Sequence, residues 1–287
     1  MDVGVVGAGR VGTALAVLLA KAGHRIVGAS GGPASRERVD RFLPDVPFLQ
    51  PSDVAAAAEA VLLAVPDDEI ATVCAGLADA GAFRAGRAAL HLSGSASLEA
   101  LGRAAAAGAT AVSLHPLQTV PTVEAALARL PGSAIAVTAP SEEGYELGER
   151  LALDAGGRPF RLPDERKPLY HAAAVFCSNY VTVLAALAER LFTEAGVDDP
   201  LTTFAPLSRA ALDNAVEMGP REALTGPAAR GDSGTVRHNL EALATHAPQA
   251  VPPYVALARA ALDLAERAGR LSADRRTAVE EVLAEWS

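Results

Sequence analysis

The stretch 2-DVGVVGAGRVGTALAVLLAKAGHRIVGAS-30 decides the fold. A short apolar run, 3-VGVV-6, leads into Gly7, Gly9 and Gly12, spaced G-x-G-x-x-G. An amphipathic helix follows and ends at Gly23, and a second apolar run, 25-RIVGA-29, comes next. Each glycine has a mechanical task. Gly7 makes the tight turn out of the strand, Gly9 lets backbone approach a pyrophosphate, and Gly12 lets the helix pack close to the strand. The opening N–H groups of the helix then face the phosphates. Gly7, Ala8, Gly9, Arg10, Val11 and Gly12 form the expected cradle, with Arg10 within reach of a phosphate. A bare glycine triplet is only a turn signal, but strand, triplet, helix and strand in this order are specific for a dinucleotide.

The end of the second strand bears on which dinucleotide. An Asp or Glu there holds the ribose 2′-hydroxyl of NAD. Here the chain reads 28-GASGGPASRER-38, with Ser30 in that place and Arg36 and Arg38 just behind. A hydroxyl and a guanidinium suit a 2′-phosphate, and the missing carboxylate removes a repulsion. NADP is therefore the expected cofactor, held at this end by Ser30 and Arg36. The alternative makes Ser35 a helix cap and the arginines a solvated face.

Further strand-like runs are 60-AVLLAV-65, 88-AALHL-92, 110-TAVSL-114 and 134-AIAVT-138, mostly separated by helical patterns. They are apolar on both faces, as in a mostly parallel sheet covered on two sides. Ligands of such sheets bind at the carboxyl ends of the strands. That rule places Val65 and Pro66 against the cofactor, and Ser93, Gly94, His115 and Pro116 near its redox-active end. His115 could equally be a strand-end residue fixed by the proline after it.

After 157-GRPFRLPDERKP-168 the texture changes to helix, at 165–194, 206–218, 233–245, 250–268 and 273–286. The expected organisation is a Rossmann-type domain over 1–162 and an all-α domain over 163–287. In the first of these helices Lys167, His171, Ser178 and Thr182 fall within roughly 60° of one another at 100° per residue, with Asn179 at the margin. The other faces are apolar, which predicts a helix buried nearly all round with one polar seam. A buried amide left unpaired costs about 1–3 kcal/mol, so the seam must meet protein groups, water or a ligand. Either it fixes helix register or a subunit interface, or it looks into the cofactor crevice. The chain has 23 Arg and only two Lys, Lys21 and Lys167. Lys, unlike Arg, can give up a proton near neutral pH, so Lys167 suits a general acid. His171, one turn on, could take that role instead, with Ser178 and Asn179 orienting the polarised oxygen. A second constellation, 224-LTGPAARGDSG-234, sets Thr225 and Gly226 before a proline at a helix start, with Arg230 one turn later. Free N–H groups and an arginine would clamp a carboxylate; a helix connection with Arg230 paired to Asp232 is the other reading.

Composition narrows the classes. The 287 residues carry a net charge of −9 and are 50% hydrophobic. No basic cluster stands out, so a nucleic-acid partner is not expected. Two cysteines without metal-like spacing predict neither a disulfide framework nor a metal site. The N-terminus lacks the pattern of a signal peptide. The longest apolar run, near 172–188, is interrupted by Ser178, Asn179 and Thr182, so a membrane partner is not expected and a cytoplasmic location is.

The motifs VGVVGAGRVGTAL, HLSG, LHPLQT, YHAAAVFCSNY and LTGPAARGD, in this order, resemble a bacterial family that spans the whole chain. It joins an NADP-type Rossmann domain to a helical domain of unknown function. Its wider relatives are ketopantoate reductase, pyrroline-5-carboxylate reductase, prephenate dehydrogenase and deazaflavin-dependent NADP reductases. The resemblance implies an all-α C-terminal domain of the 6-phosphogluconate dehydrogenase type, often dimerising. It also implies an NADP-dependent oxidoreductase acting on a small carboxylate-bearing keto acid, with ketopantoate first. Ketopantoate reductases use a Lys and an Asn near the nicotinamide, which Lys167 and Asn179 would supply, at a different spacing. The alternatives are an imine reductase of the pyrroline-carboxylate type and a non-catalytic NADP(H) sensor that binds partners through its helical domain.

Overall fold

The structure, a computed structural model, describes residues 1–286. Seven strands form one sheet: β1 (Asp2–Val6), β2 (Arg25–Ser30), β3 (Ala60–Leu63), β4 (Ala88–His91), β5 (Thr110–Pro116), β6 (Ala134–Thr138) and β7 (Arg158–Arg161). Their order is β2-β1-β3-β4-β5-β6-β7. The first five are parallel to one another; β6 is antiparallel to β5, and β7 is parallel to β6.

The strands are apolar on both faces because helices cover both. One layer holds α1 (Arg10–Lys21), α2 (Pro33–Phe42), α6 (Val123–Arg129) and α7 (Glu142–Asp154). They pack on Val3, Val5, Leu62, Leu90 and Val112. The opposite layer holds α3 (Pro51–Ala57), α4 (Ile70–Asp79) and α5 (Gly102–Ala106), over Val6, Val61, Leu63, Ala89 and Ala111. The strand period of two sends neighbouring residues to opposite cores. One strand departs from the sequence reading. β7 lies where a boundary is expected; it is a four-residue edge strand, where Pro159 is tolerated. The antiparallel β6 leaves no mark in an apolar run.

The apolar stretch expected as one helix is two. α8 (Lys167–Cys177) ends at Ser178, whose backbone leaves helical geometry at φ −128°, and α9 (Asn179–Glu194) begins beside it. The Ser178 hydroxyl donates to the Ala174 carbonyl and to Asn179 Oδ1. Burial all round is also corrected. Lys167 is the single buried residue of α8, while Leu169 and Phe176 are 69% and 68% exposed. By length and hydropathy alone, residues 164–194 could cross a membrane.

The first compact unit comprises Met1–Asn179. It runs past the compositional change at residue 162 because Lys167 ties α8 to the sheet, as described below. The second unit starts at Tyr180. It is helical, with α10 (Pro200–Met218), α11 (Pro220–Ala223), α12 (Pro227–Arg230), α13 (Ser233–His246), α14 (Val251–Arg267) and α15 (Ala273–Ala284) following most of α9. Its core gathers Val236, Leu240, Val255, Leu262, Val279 and Leu283 from α13, α14 and α15. α10 begins at Pro200 rather than Pro206; either proline could open a helix, and Pro206 sits inside this one.

Candidate active site

The loop between β1 and α1 lies where the strand order reverses, with β2 on one side of β1 and β3 on the other. Gly7 has φ +83°, and a Cβ there would come 2.6 Å from Val65 Cγ1. The N–H groups of Gly7 and Ala8 both donate to the Ser30 carbonyl, at 3.1 and 2.8 Å, fixing the loop to the end of β2. A Cβ on Gly12 would meet Ala64 Cβ at 2.6 Å. Gly9 differs. Its φ is −72°, and a Cβ would meet nothing closer than 3.8 Å. Internal packing therefore demands glycine at 7 and 12 but not at 9, where a small residue keeps the space before the helix open. Gly9 caps α1 without a side-chain hydrogen bond. The N–H groups of Arg10, Val11 and Gly12 consequently face that space with no carbonyl one turn back inside the helix. Aligned free donors at a helix start fit a pyrophosphate.

A cleft of about 560 Å³ opens here. Gly9, Arg10, Val11 and Gly12 form one side, Ala64, Val65 and Asp67 another, and Ser93, His115 and Pro116 the far end. Arg38, not Arg36, lines it. Arg38 donates to the Ala8 carbonyl and the Ser35 hydroxyl, whereas Arg36 is exposed and lies over the Phe48 ring, 4.5 Å from its centroid. Ser30 is buried beneath the loop. Pro66 is exposed and caps the 3₁₀ turn Asp67–Glu69.

At the far end a polar group is built into the sheet. His91 on β4 pairs in register with Ser113 on β5, which pairs with Thr138 on β6, and all three are buried. Lys167 reaches this row from α8 and is 1% exposed. Its ammonium donates to the Ser93 carbonyl at 2.9 Å and the Ser113 hydroxyl at 2.7 Å, so it stands behind the cleft wall. Burial lowers its pKa to about 8, against the raising influence of Asp164 and Asp67. Asp67 accepts from the Ser93 hydroxyl at 2.6 Å and the Ser95 hydroxyl at 3.0 Å. Burial, then the Lys167 charge, hold His91 down at about 3 and His115 at about 4, so both imidazoles are neutral.

His115 also lines a second cavity, of about 400 Å³, with Tyr170, His171, Ser178, Asn179 and Cys177. His115 Nδ1 lies 2.9 Å from the Tyr170 hydroxyl. Gly94 makes this packing possible, since a Cβ there would sit 2.8 Å from His115 Nε2 and 2.9 Å from His171 Nδ1. His171 Nδ1 is buried without a hydrogen-bond partner among the described residues. The structure thus brings His171, Ser178 and Asn179 to one cavity with His115, and sets Lys167 behind it.

Asp67, Ser113 and Tyr170 are the residues the sequence reading passed over, and Arg38, named there beside Arg36, is the arginine that lines the cleft. Tyr170 is three positions after Lys167, about 60° round the helix on the side away from His171. Ser113 is two residues before His115, on the same strand face. Thr225, Gly226 and Arg230 belong to the second unit. Gly226 caps α12 at φ +110°, and Arg230 is exposed near Asp232, whose carboxylate caps α13 through the Thr235 N–H.

Two family descriptions match the chain: a Rossmann-like domain over residues 1–116, and a domain of unknown function (DUF2520) over residues 133–261. No curated protein matches by sequence. Among solved structures, a Bacteroides fragilis protein described as an NADP oxidoreductase is 23% identical with a TM-score of 0.76, covering 91% of this chain and 98% of its own. A Thermotoga maritima protein, TM1727, is 23% identical at a TM-score of 0.70, with 93% and 99% covered. A reductive aminase from Aspergillus terreus, solved with NADPH and ethyl levulinate, is 16% identical at a TM-score of 0.62, with 99% and 92% covered. At these identities the likeness is one of fold.

Proposed function

We propose that this chain, which joins a Rossmann-like domain to a DUF2520 domain, is an NADP(H)-dependent reductase of a small carbonyl or imine compound. The observation that carries the reading is the place of His115, which walls both the dinucleotide cleft and the second cavity. A cofactor laid along the first would present its ring to a substrate in the second. Bound NADPH supplies the hydride; the protein holds, orients and protonates. The free N–H groups of α1 take the pyrophosphate. Arg38 takes the 2′-phosphate that Ser30, in place of an acid, does not repel. The NADP-bound or NADP-dependent neighbours of this fold support the same cofactor.

Ketopantoate, the substrate implied by the resemblance, is the first candidate. A cyclic imine is the second. The second cavity offers histidine, tyrosine, serine and asparagine but neither Lys nor Arg among the described residues that line it, which suits an uncharged group. The test follows NADPH absorbance, with NADH in parallel, over a panel of 2-keto acids and cyclic imines. Turnover with at least one class and preference for NADPH are expected. Tight NADPH binding with no turnover across the panel overturns the enzyme reading and leaves a cofactor sensor.

We also read the apolar side chains that α9 leaves exposed as the meeting surface of two copies of the chain, in a cytoplasmic homodimer. Val181 and Val183 are each more than half exposed, and a stretch this apolar calls for a cover. Glu189, Arg190 and Glu194 on the same helix disfavour lipid as that cover. Sedimentation equilibrium at micromolar concentration is expected to give twice the chain mass; a monomer would refute the dimer.

A further inference from the structure

The reduction needs a proton as well as a hydride, and the two groups that a sequence reading favours for it are poorly placed to give one. Lys167 spends two of its N–H groups on the Ser93 carbonyl and the Ser113 hydroxyl, and is cut off from solvent. His171 turns Nδ1 into the space over Gly94, where no described residue bonds to it. Tyr170 is different. It lines the cavity, and its hydroxyl is joined to a second ring that reaches the cofactor cleft. The pair is flanked on both sides, by the Phe160 ring edge-on to Tyr170 at 5.9 Å and the His171 ring edge-on to His115 at 6.2 Å.

We propose that Tyr170 is the proton donor of this site, re-protonated by His115, and that Lys167 is a positioning residue behind them. This rests on the reductase reading above. With NADPH bound, its hydride would go to the carbonyl carbon as the carbonyl π pair moves onto oxygen. That oxygen takes the phenolic proton of Tyr170. The phenolate takes the proton on His115 Nδ1 while Nε2 accepts one from solvent, and proton exchange of the imidazole with solvent then restores the Nδ1–H tautomer, so the net proton comes from water. An imine nitrogen enters the same sequence in place of oxygen. The arrangement requires the His115 tautomer that carries hydrogen on Nδ1 and donates it to the tyrosine oxygen. Burial keeps the phenol protonated, with its pKa pushed up to about 12. The charged and titratable groups facing His115 are Lys167, Tyr170 and His171 from α8, Asp67 from the turn after β3 and His91 from β4. Lys167 anchors the Ser93 carbonyl, and its charge helps hold the imidazole neutral.

Two measurements separate failure of this proposal from failure of the reductase reading. Nitrogen-15 spectra of His115 at neutral pH, which need no substrate, are expected to show hydrogen on Nδ1 and to lose that preference in Tyr170→Phe. Hydrogen on Nε2 in the wild type overturns the relay whatever the enzyme reduces. With any substrate found active, Tyr170→Phe is expected to lower kcat about a hundredfold with NADPH affinity unchanged; turnover within twofold of wild type overturns the donor. Lys167→Met is expected to raise the His115 pKa and to lower turnover by less than Tyr170→Phe does. Loss of turnover as large as that of Tyr170→Phe, with the His115 titration unmoved, would make Lys167 the donor and end the proposal.

Discussion

Gly9→Ala is expected to bind NADPH at least about a hundredfold more weakly than the wild type, with its melting temperature unchanged to within about two degrees. The reason lies in the contrast among the three glycines. Gly7 is left-handed and Gly12 touches Ala64, so a methyl group at either place strains or displaces the protein itself. At Gly9 the backbone is ordinary for any residue and the nearest atoms to an added methyl are 3.8 Å away. Only a ligand approaching the free N–H groups of α1 would feel it. Fluorescence titration with NADPH, alongside melts of Gly7→Ala, Gly9→Ala and Gly12→Ala, checks this. The first and third should melt lower by several degrees. A Gly9→Ala protein that binds normally would mean that the phosphates lie elsewhere.

The second large effect is loss of stability in mild acid. His91 and His115 have folded-state pKa values of about 3 and about 4, below the ordinary value of 6.5. Below pH 6.5 the unfolded chain takes up protons that the folded protein refuses. Stability is therefore fully present above 6.5 and falls as pH drops toward the folded values. Two such groups lower unfolding free energy by on the order of 2 kcal/mol between pH 6 and pH 5. This window lies above the range in which ordinary carboxylates titrate. Urea unfolding at pH 7, 6 and 5 tests it, with His115→Asn expected to remove about half of the slope. A flat profile between pH 7 and 5 would show that these histidines are not buried neutral.

The cradle was readable from sequence because its demands are local: a turn, a close packing point and an open helix start, each within a dozen residues. The doubly covered sheet was readable because apolar runs on both faces have few other uses. Arg38 against Arg36 was decidable in principle, since residues two apart on a helix point nearly opposite ways, but the sequence does not say which face meets the loop. The polar seam was harder. A helical wheel assumes one continuous helix, and the break at Ser178 separates Thr182 from Lys167 and His171. The wheel also rewarded the larger set of polar residues and passed over Tyr170, whose partner, His115, is 55 positions away in the chain. Pairings of that span are set by strand order, and the antiparallel direction of β6, the edge strand β7 and the placement of α8 on the sheet left little trace in composition.

A crystal structure with NADP+ bound tests the central claim most directly. The nicotinamide is expected at the wall between the two cavities, within about 4 Å of the His115 ring and facing the space that Tyr170 lines. A ring held more than about 8 Å from His115, beyond the reach of its side chain or of a substrate in contact with it, would contradict the account.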